Sequence, residues 1–317
     1  MKALKRKDLQ MTDQIKIPLI PECSACIANS LKILIPRLTQ DGEEQNRLFS
    51  YAFKRLSDGY RERKPPILLS IQLYQDLYKM GGVEDPYSDI KKLSTESALK
   101  VLPLIEKKVS DLEGFQRLRA CLASSITGNV IDYNTAEHKP DLEALVTVFE
   151  SILKEGFAPD DSEHLWRSLS SRKGKLLFVA DNAGEVLLDI PLLRLLKELG
   201  WTTFFVVKGR PMINDATEDD VRGTEIEDLA TVVTSGAWAH GVPMMYISEQ
   251  LLRLFSECDI VISKGQANIE TVPEIQQKTG VETYYITKAK CSHISQAIGA
   301  KKGSNVVLRS PKIIASR

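Results

Sequence analysis

Lys175-Leu176-Leu177-Phe178-Val179-Ala180 runs straight into Asp181-Asn182-Ala183-Gly184-Glu185, and this junction decides the fold. The first half is a short apolar run of the kind that fills a strand buried on both faces. The second half is acid, amide, small residue, glycine and acid, and helical apolar spacing follows from 184 to 199. Strand, polar turn and helix make the repeating unit of an α/β sheet. The unit recurs downstream. Thr203-Phe204-Phe205-Val206-Val207 leads into Lys208-Gly209-Arg210-Pro211-Met212-Ile213-Asn214-Asp215. Asp259-Ile260-Val261-Ile262-Ser263 leads into Lys264-Gly265-Gln266-Ala267-Asn268-Ile269-Glu270. Further strand patterns lie at 231–234, 282–287 and 305–309, with helical spacing near 218–229, 245–257 and 270–279. Such alternation implies right-handed crossovers and a doubly wound, largely parallel sheet.

Upstream the spacing is helical. Ile27, Leu31, Leu34, Ile35 and Leu38 recur on one helix face, as do Leu48, Tyr51, Ala52 and Leu56. Pro65-Pro66 opens another run from 67 to 80, which Gly81-Gly82 closes. Further helices are expected near 88–109, 113–127, 139–155 and 160–170, and no strand pattern precedes residue 175. The expected organisation is a flexible Lys-rich segment at 1–17 and a helical domain at 18–172 that contributes to the cleft. An α/β metal- and phosphate-binding domain at 173–317 would follow.

Composition narrows the class. Of 317 residues, 43% are apolar and 26% charged, which allows a sizeable core. Lys plus Arg and Asp plus Glu number 42 each, so the formal net charge is zero. No whole-molecule field draws the chain to nucleic acid or to an anionic membrane, and neither is expected as a partner. The basic start, Met1-Lys2-Ala3-Leu4-Lys5-Arg6-Lys7, has no apolar run behind it and does not read as a signal peptide. No apolar stretch reaches the roughly 18 residues that a spanning helix needs. A soluble, cytoplasmic protein is the expectation, with the oligomeric state open. Five cysteines, an odd and sparse number, argue against an extracellular disulfide framework.

In an open parallel sheet, ligands bind beyond the carboxyl ends of the strands, so the three polar turns would meet in one crevice. Asp181 and Asn182 offer hard oxygen donors suited to Mg²⁺ or Mn²⁺, or they cap the helix that follows. Gly184 and Glu185 open a helix whose free N–H groups suit an anion. Asp215 would complete a three-ligand set, or it caps the helix that begins near Thr217. Lys208 and Arg210 either contact a phosphate or are solvated. Lys264 would neutralise charge on a transferring phosphoryl group, with Gly265 letting the backbone approach the ligand. Asn268 and Glu270 orient Lys264 or the substrate, or else cap the next helix. Ser235 donates to a phosphate or simply turns the chain.

Outside these loops, Gly128-Asn129-Val130-Ile131-Asp132-Tyr133 interrupts the helical half. Asn129 and Asp132 either close the crevice from that side or form a bare turn. Cys23-Ser24-Ala25-Cys26 is half of a structural zinc site, which Cys291 and His293 would complete, or it is a redox pair. Cys121 and Cys258 read as small buried residues, and His138, His164 and His240 as structural or surface residues. No Gly-x-x-x-x-Gly-Lys-Ser/Thr loop is present, which excludes a P-loop NTPase. The single glycine after the first strand disfavours a dinucleotide. No Asp-x-Asp follows a strand, so water is a better nucleophile than an enzyme carboxylate.

The chain resembles the damage-control phosphatase family (domain of unknown function 89), metal-dependent phosphatases. The resemblance rests on Asp181-Asn182-Ala183-Gly184-Glu185, Asp215, Lys264-Gly265-Gln266-Ala267-Asn268-Ile269-Glu270 and Gly128-Asn129-Val130-Ile131-Asp132. Cys23-x-x-Cys26 and Cys291 are similar to those of its smaller, prokaryote-type branch, and Ala267 stands where many relatives have a second glycine. The resemblance implies a divalent metal (Mn²⁺, Ni²⁺, Co²⁺ or Mg²⁺) on Asp181, Asn182 and Asp215, with Lys264 on the substrate phosphate. It implies hydrolysis of small phosphorylated metabolites such as sugar phosphates, nucleotides or damaged cofactor phosphates. Asn129 and Asp132 would act with Lys264, Asp132 being the candidate general acid. The expected activity is metal-dependent phosphomonoester hydrolysis by a metal-activated water. The rival readings are a protein carboxyl methyltransferase using S-adenosylmethionine and a non-catalytic binder of phosphometabolites.

Overall fold

The structure, a computed structural model, describes Ile17 and residues 19–128 and 142–309. Seven helices come first: α1 (Pro21–Leu38), α2 (Gly42–Glu62), α3 (Pro66–Gly81), α4 (Ser88–Ser110), α5 (Gly114–Gly128), α6 (Leu142–Glu155) and α7 (Ser162–Ser171). Among the described residues no strand precedes Lys175. The alternating half then runs β1 (Lys175–Val179), a 3-10 helix (Glu185–Asp189), α8 (Ile190–Glu198) and β2 (Thr202–Val207). Next come α9 (Glu218–Val221), α10 (Ile226–Leu229), β3 (Thr231–Thr234), α11 (Glu249–Glu257) and β4 (Ile260–Lys264). The last elements are α12 (Gln266–Thr279), β5 (Glu282–Lys288), α13 (Ser292–Ala297) and β6 (Asn305–Arg309).

The six strands form one sheet in the order β3-β2-β1-β4-β5-β6. Every pairing is parallel except β5 with β6. The fold is therefore the doubly wound α/β class that the alternation implies. From β1 the chain winds outward through β2 to β3, then returns to the other side of β1 as β4. The strand order reverses between β1 and β4, and the loops leaving their carboxyl ends diverge there. That crevice receives Asp181 and Gly265.

Both faces of the sheet are covered, which is why β1 and β4 read as unbroken apolar runs. On one face Leu118, Leu122 and Ile126 of α5 and Leu192 and Leu196 of α8 pack with Phe178 and Phe205. The two phenylalanine rings stack at 5.1 Å. This core continues without a break across residue 172, from the helices into the sheet. On the other face Leu251, Phe255, Val272 and Ile275 of α11 and α12 cover Leu177, Val179 and Val261. A third cluster joins α1, α2 and α3 and includes Met212 from the loop after β2. Each such side chain stabilises the fold by about 1.5–3 kcal/mol on full burial.

Several boundaries differ from those expected. The helix expected at 184–199 begins as a 3-10 turn, and α-helical geometry starts only where Pro191 sets the first turn of α8. The helix expected near 218–229 is two four-residue pieces, parted at Gly223, whose φ is +71°. α12 starts at Gln266 rather than 270, so Asn268 and Glu270 sit inside its first turns. No described helix is long and apolar enough to cross a membrane.

One glycine holds the two halves in register. Gly184 has φ +73°, and a Cβ there would lie 2.5 Å from the carbonyl carbon of Ser94 in α4. Backbone strain and helix displacement would add, so Gly184→Ala should destabilise by on the order of 2 kcal/mol or more. Urea denaturation reads this as a lower midpoint; an unchanged midpoint would show that α4 yields freely.

Candidate functional site

The turn after β1 is zipped to the loop after β2. Ala183 N–H donates to the Asn214 carbonyl at 2.8 Å, and Ala216 N–H donates to that of Asp181 at 2.9 Å. Asn182 and Asp215 thus form an antiparallel bridge. This pairing brings Asp181, Asn182 and Asp215 together at the head of the sheet. The loop is fixed from the helical side too: the Tyr78 hydroxyl of α3 accepts from Ile213 N–H at 2.9 Å. Gly265 stands against the same place. A Cβ on it would fall 2.0 Å from Asp181 Oδ2, so the glycine makes room for this carboxylate rather than for a ligand.

Lys264 is fully buried, and its ammonium already has partners. Its Nζ lies 2.7 Å from Asp189 Oδ1 and 3.0 Å from Glu185 Oε1. Ser125 of α5 donates to the same Asp189 oxygen at 2.6 Å. Glu185 Oε2 accepts from Asn182 Nδ2 at 2.9 Å. Burial works against the Lys264 charge, but Asp189 and Glu185 outweigh it and hold the pKa above its ordinary value. Burial pushes Asp189 up to about 6, against the pull of Lys264 and Ser125, so the pair is charged at neutral pH. The sequence reading gave Lys264 to a substrate phosphate and Glu185 to substrate contact. The structure instead gives Lys264 two carboxylates, and gives both oxygens of Glu185 to Lys264 and Asn182.

Asp181 feels the crowding most. Burial first, then the charges of Glu185 and Asp215, push it up to about 7, against Lys208 and Lys264. Asp215 Oδ2 is enclosed without a hydrogen-bond partner, and His240 Nδ1 stands 3.7 Å from it. Four carboxylates (Asp181, Glu185, Asp189, Asp215) thus face two buried ammoniums (Lys208, Lys264). The excess of negative charge in a dry site suits a divalent cation. Among the described residues no three His, Cys, Asp or Glu side chains converge on one metal position. A cation here would take its protein ligands from two carboxylates and the Asn182 amide, whose Nδ2 is used and whose Oδ1 is left for coordination. Such all-oxygen donors fit Mg²⁺ or Mn²⁺.

A model of the damage-control phosphatase ARMT1-like domain matches residues 19–306. The chain belongs to the damage-control phosphatase family. It is 32% identical over 290 residues to an uncharacterized protein of Methanocaldococcus jannaschii, covering 91% of this chain and 94% of that one. A damage-control phosphatase of Pyrococcus horikoshii is 32% identical over 291 residues, 91% of this chain and 97% of its own. The crystal structure of a Pyrococcus horikoshii protein of the domain-of-unknown-function-89 family superposes with a TM-score of 0.81 at 32% identity. That match covers 92% of this chain and 99% of the other.

For this damage-control phosphatase family member, the remaining candidates are placed as follows. Asn268 is buried, and its Nδ2 donates to Lys264 O at 2.6 Å and Ala180 O at 3.2 Å, so it ties β4 to β1. Ser235 is buried, with its Oγ accepting from Ala237 N–H at 3.2 Å. Asn129 and Asp132 lie outside the described residues. Gly128, which precedes them, packs on Glu185: a Cβ there would meet its Cγ at 2.5 Å. The first turn of α1 faces that of α13, where Ser292 Oγ donates to Glu22 at 3.5 Å. Burial raises the Cys23 thiol, and nearby Cys291, Glu270 and Cys26 add to the effect. No disulfide joins the five cysteines.

Three groups occupy places that the sequence pattern does not single out. Asp189 is the lone acid in the run Val186-Leu187-Leu188-Asp189-Ile190-Pro191, and an acid among apolar neighbours was the available signal. Lys208, for which the sequence allows either phosphate contact or solvation, is 2% exposed. His240 had been read as structural or surface; its place beside Asp215 depends on a loop after β3 that carries no motif.

Two outcomes follow from these buried charges. Lys264→Met leaves Glu185 and Asp189 uncompensated and should cost about 3–5 kcal/mol in chemical denaturation. Adding Asp189→Asn should recover part of the loss, and full stability of the single variant would contradict the ion-pair account. Glu270 has Oε2 enclosed without a partner, and burial pushes its carboxyl up to about 8. The native state then holds a proton that the unfolded chain releases, so stability falls as pH rises from about 4.5 to about 8. Glu270→Gln should flatten that slope; thermal melts across the window check it.

Proposed function

We propose that this chain is a metal-dependent phosphatase acting on small phosphorylated metabolites. Membership of the damage-control phosphatase family supports the phosphatase activity. The convergence of Asp181, Asn182 and Asp215 at the sheet's switch point, with Asp215 Oδ2 unpartnered, supports the metal dependence. When bound, a divalent cation would polarise a phosphoryl oxygen and lower the pKa of a coordinated water.

The protein's own residues set the stage for that chemistry. Asp181 and Asp215 supply carboxylate oxygens, and Glu185 accepts from Asn182 Nδ2, which leaves the amide oxygen as the donor atom Asn182 would offer. Lys264 and Asp189 keep Glu185 and the β4 terminus from moving. The amino terminus of α12 opens at Gly265, beside Asp181, and its N–H groups offset negative charge there. In the overall step the water oxygen bonds to phosphorus and the ester P–O bond breaks. The departing oxygen gains one proton from the water and leaves as an alcohol, and inorganic phosphate retains the other. Ni²⁺ and Co²⁺ are further candidates; Cys23, Cys26 and Cys291 do not converge on a metal position among the described residues.

The test is a chelated preparation assayed against sugar phosphates, nucleotides and a chromogenic phosphate ester, with single-metal add-back. Turnover should vanish on chelation and return with one or more of Mn²⁺, Ni²⁺, Co²⁺ and Mg²⁺. Asp181→Asn and Asp215→Asn should each lower kcat by about 100-fold or more and weaken metal binding by calorimetry. Absence of phosphate release with every metal and substrate would end the enzymatic reading.

A further inference from the structure

The site has two buried lysines, and only one is spoken for. Lys264 carries two carboxylates within 3.0 Å, so that trio bears a net negative charge and repels a phosphate dianion. Lys208 differs. It is 2% exposed, and among the described residues its ammonium donates only to the neutral Ala180 carbonyl, at 3.0 Å. Among the described residues it has no carboxylate partner in an ion pair, so two of its three donors are unused. An ammonium taken out of water with one neutral acceptor is costly unless an anion comes to it.

Its position fits such an anion. The β1–β2 register pairs Val179 with Val206, and two residues on it sets Lys208 beside Asp181. The Lys208 charge is felt at Asp181 more strongly than that of Lys264. The backbone is held on both sides: Lys208 N–H donates to Ala216 O at 2.8 Å and Gly209 N–H to Ala237 O at 2.9 Å. Gly209 packs closely on Gly236: a Cβ there would lie 2.6 Å from the Gly236 carbonyl carbon. Lys208 also lines an 870 Å³ cavity together with Gly209, Arg210, Thr217 and Lys91, whose lining does not include Asp181, Asn182 or Asp215. Ligand cavities commonly measure roughly 300–1,000 Å³.

We infer that Lys208 is the cation that contacts the phosphoryl oxygens of the substrate, the place that the sequence had given to Lys264. The inference rests on the phosphatase reading. A cation held by Asp181, Asn182 and Asp215 would take one phosphoryl oxygen, and Lys208 donates to another. Lys264 is a positioning residue behind them.

Inorganic phosphate and tungstate are the probes. Calorimetry on the Mn²⁺-loaded protein should show Lys208→Gln weakening inorganic phosphate by about 10- to 100-fold. Mn²⁺ affinity should change little, and KM for a chromogenic ester should rise more than kcat falls. Lys208→Arg should restore most of the phosphate affinity. Unchanged phosphate binding in Lys208→Gln would overturn the assignment. If that variant does not fold, wild-type crystals soaked in tungstate decide: the anion within hydrogen-bond reach of Lys208 Nζ supports it. Tungstate on Lys264, elsewhere or absent at saturation refutes it. A wild type that binds phosphate through Lys208 yet releases none from any ester would fail the phosphatase reading alone.

Discussion

The Lys264 ammonium, enclosed between Asp189 and Glu185, carries the rest of this architecture. Lys264 ends β4, whereas Glu185 and Asp189 lie in the 3-10 turn that follows β1. The ion pairs therefore span the point where the strand order reverses, and Ser125 extends the contact to α5. A crevice is a place where packing is interrupted. Buried charges there are costly unless each finds its partner, and a network of this kind admits few alternative arrangements. Glu185 accepts from the Asn182 amide, so that side chain is oriented by the same network.

The helical half serves the site more than it serves itself. α3 fixes the loop carrying Asp215 through Tyr78, α4 presses on Gly184, and α5 ends against Glu185 at Gly128. Lys91 of α4 adds a buried bridge to Asp85 and, across the chain, to Asp220 at 2.7 Å. One apolar core runs from α4 and α5 into the sheet, and α3 packs in a separate cluster that includes Met212. Rigid support on several sides is what a constellation of repelling carboxylates requires.

Charge accounting gives the site its chemical character. Four buried carboxylates against two ammoniums favour a divalent cation, and a phosphate dianion would then need a further positive group. Lys264 is committed to the protein, while among the described residues the Lys208 ammonium is bound to a carbonyl alone. The division of labour between two lysines at equivalent strand ends is thus a matter of their neighbours. Each follows directly upon, or closes, a strand with the same apolar pattern.

The sequence by itself determined the strands, their parallel winding and the identity of the three polar turns. Apolar runs of five or six residues ending on Asp, Lys or Lys can be buried on both faces only in such a sheet. It also marked Asp181, Asn182 and Asp215, because oxygen donors at strand ends have a place to meet. Helix starts were less legible: α12 begins on Gln266 because Gly265, at φ +88°, turns the chain around the Asp181 carboxylate. Which charge meets which was beyond the sequence. Asp189, Ser125 and Lys264 are separated by 64 and 75 residues, and their contact exists only once α5 and the 3-10 turn pack together. Local pattern fixes an element through its own periodicity, whereas the partner of a buried charge is decided by distance in three dimensions.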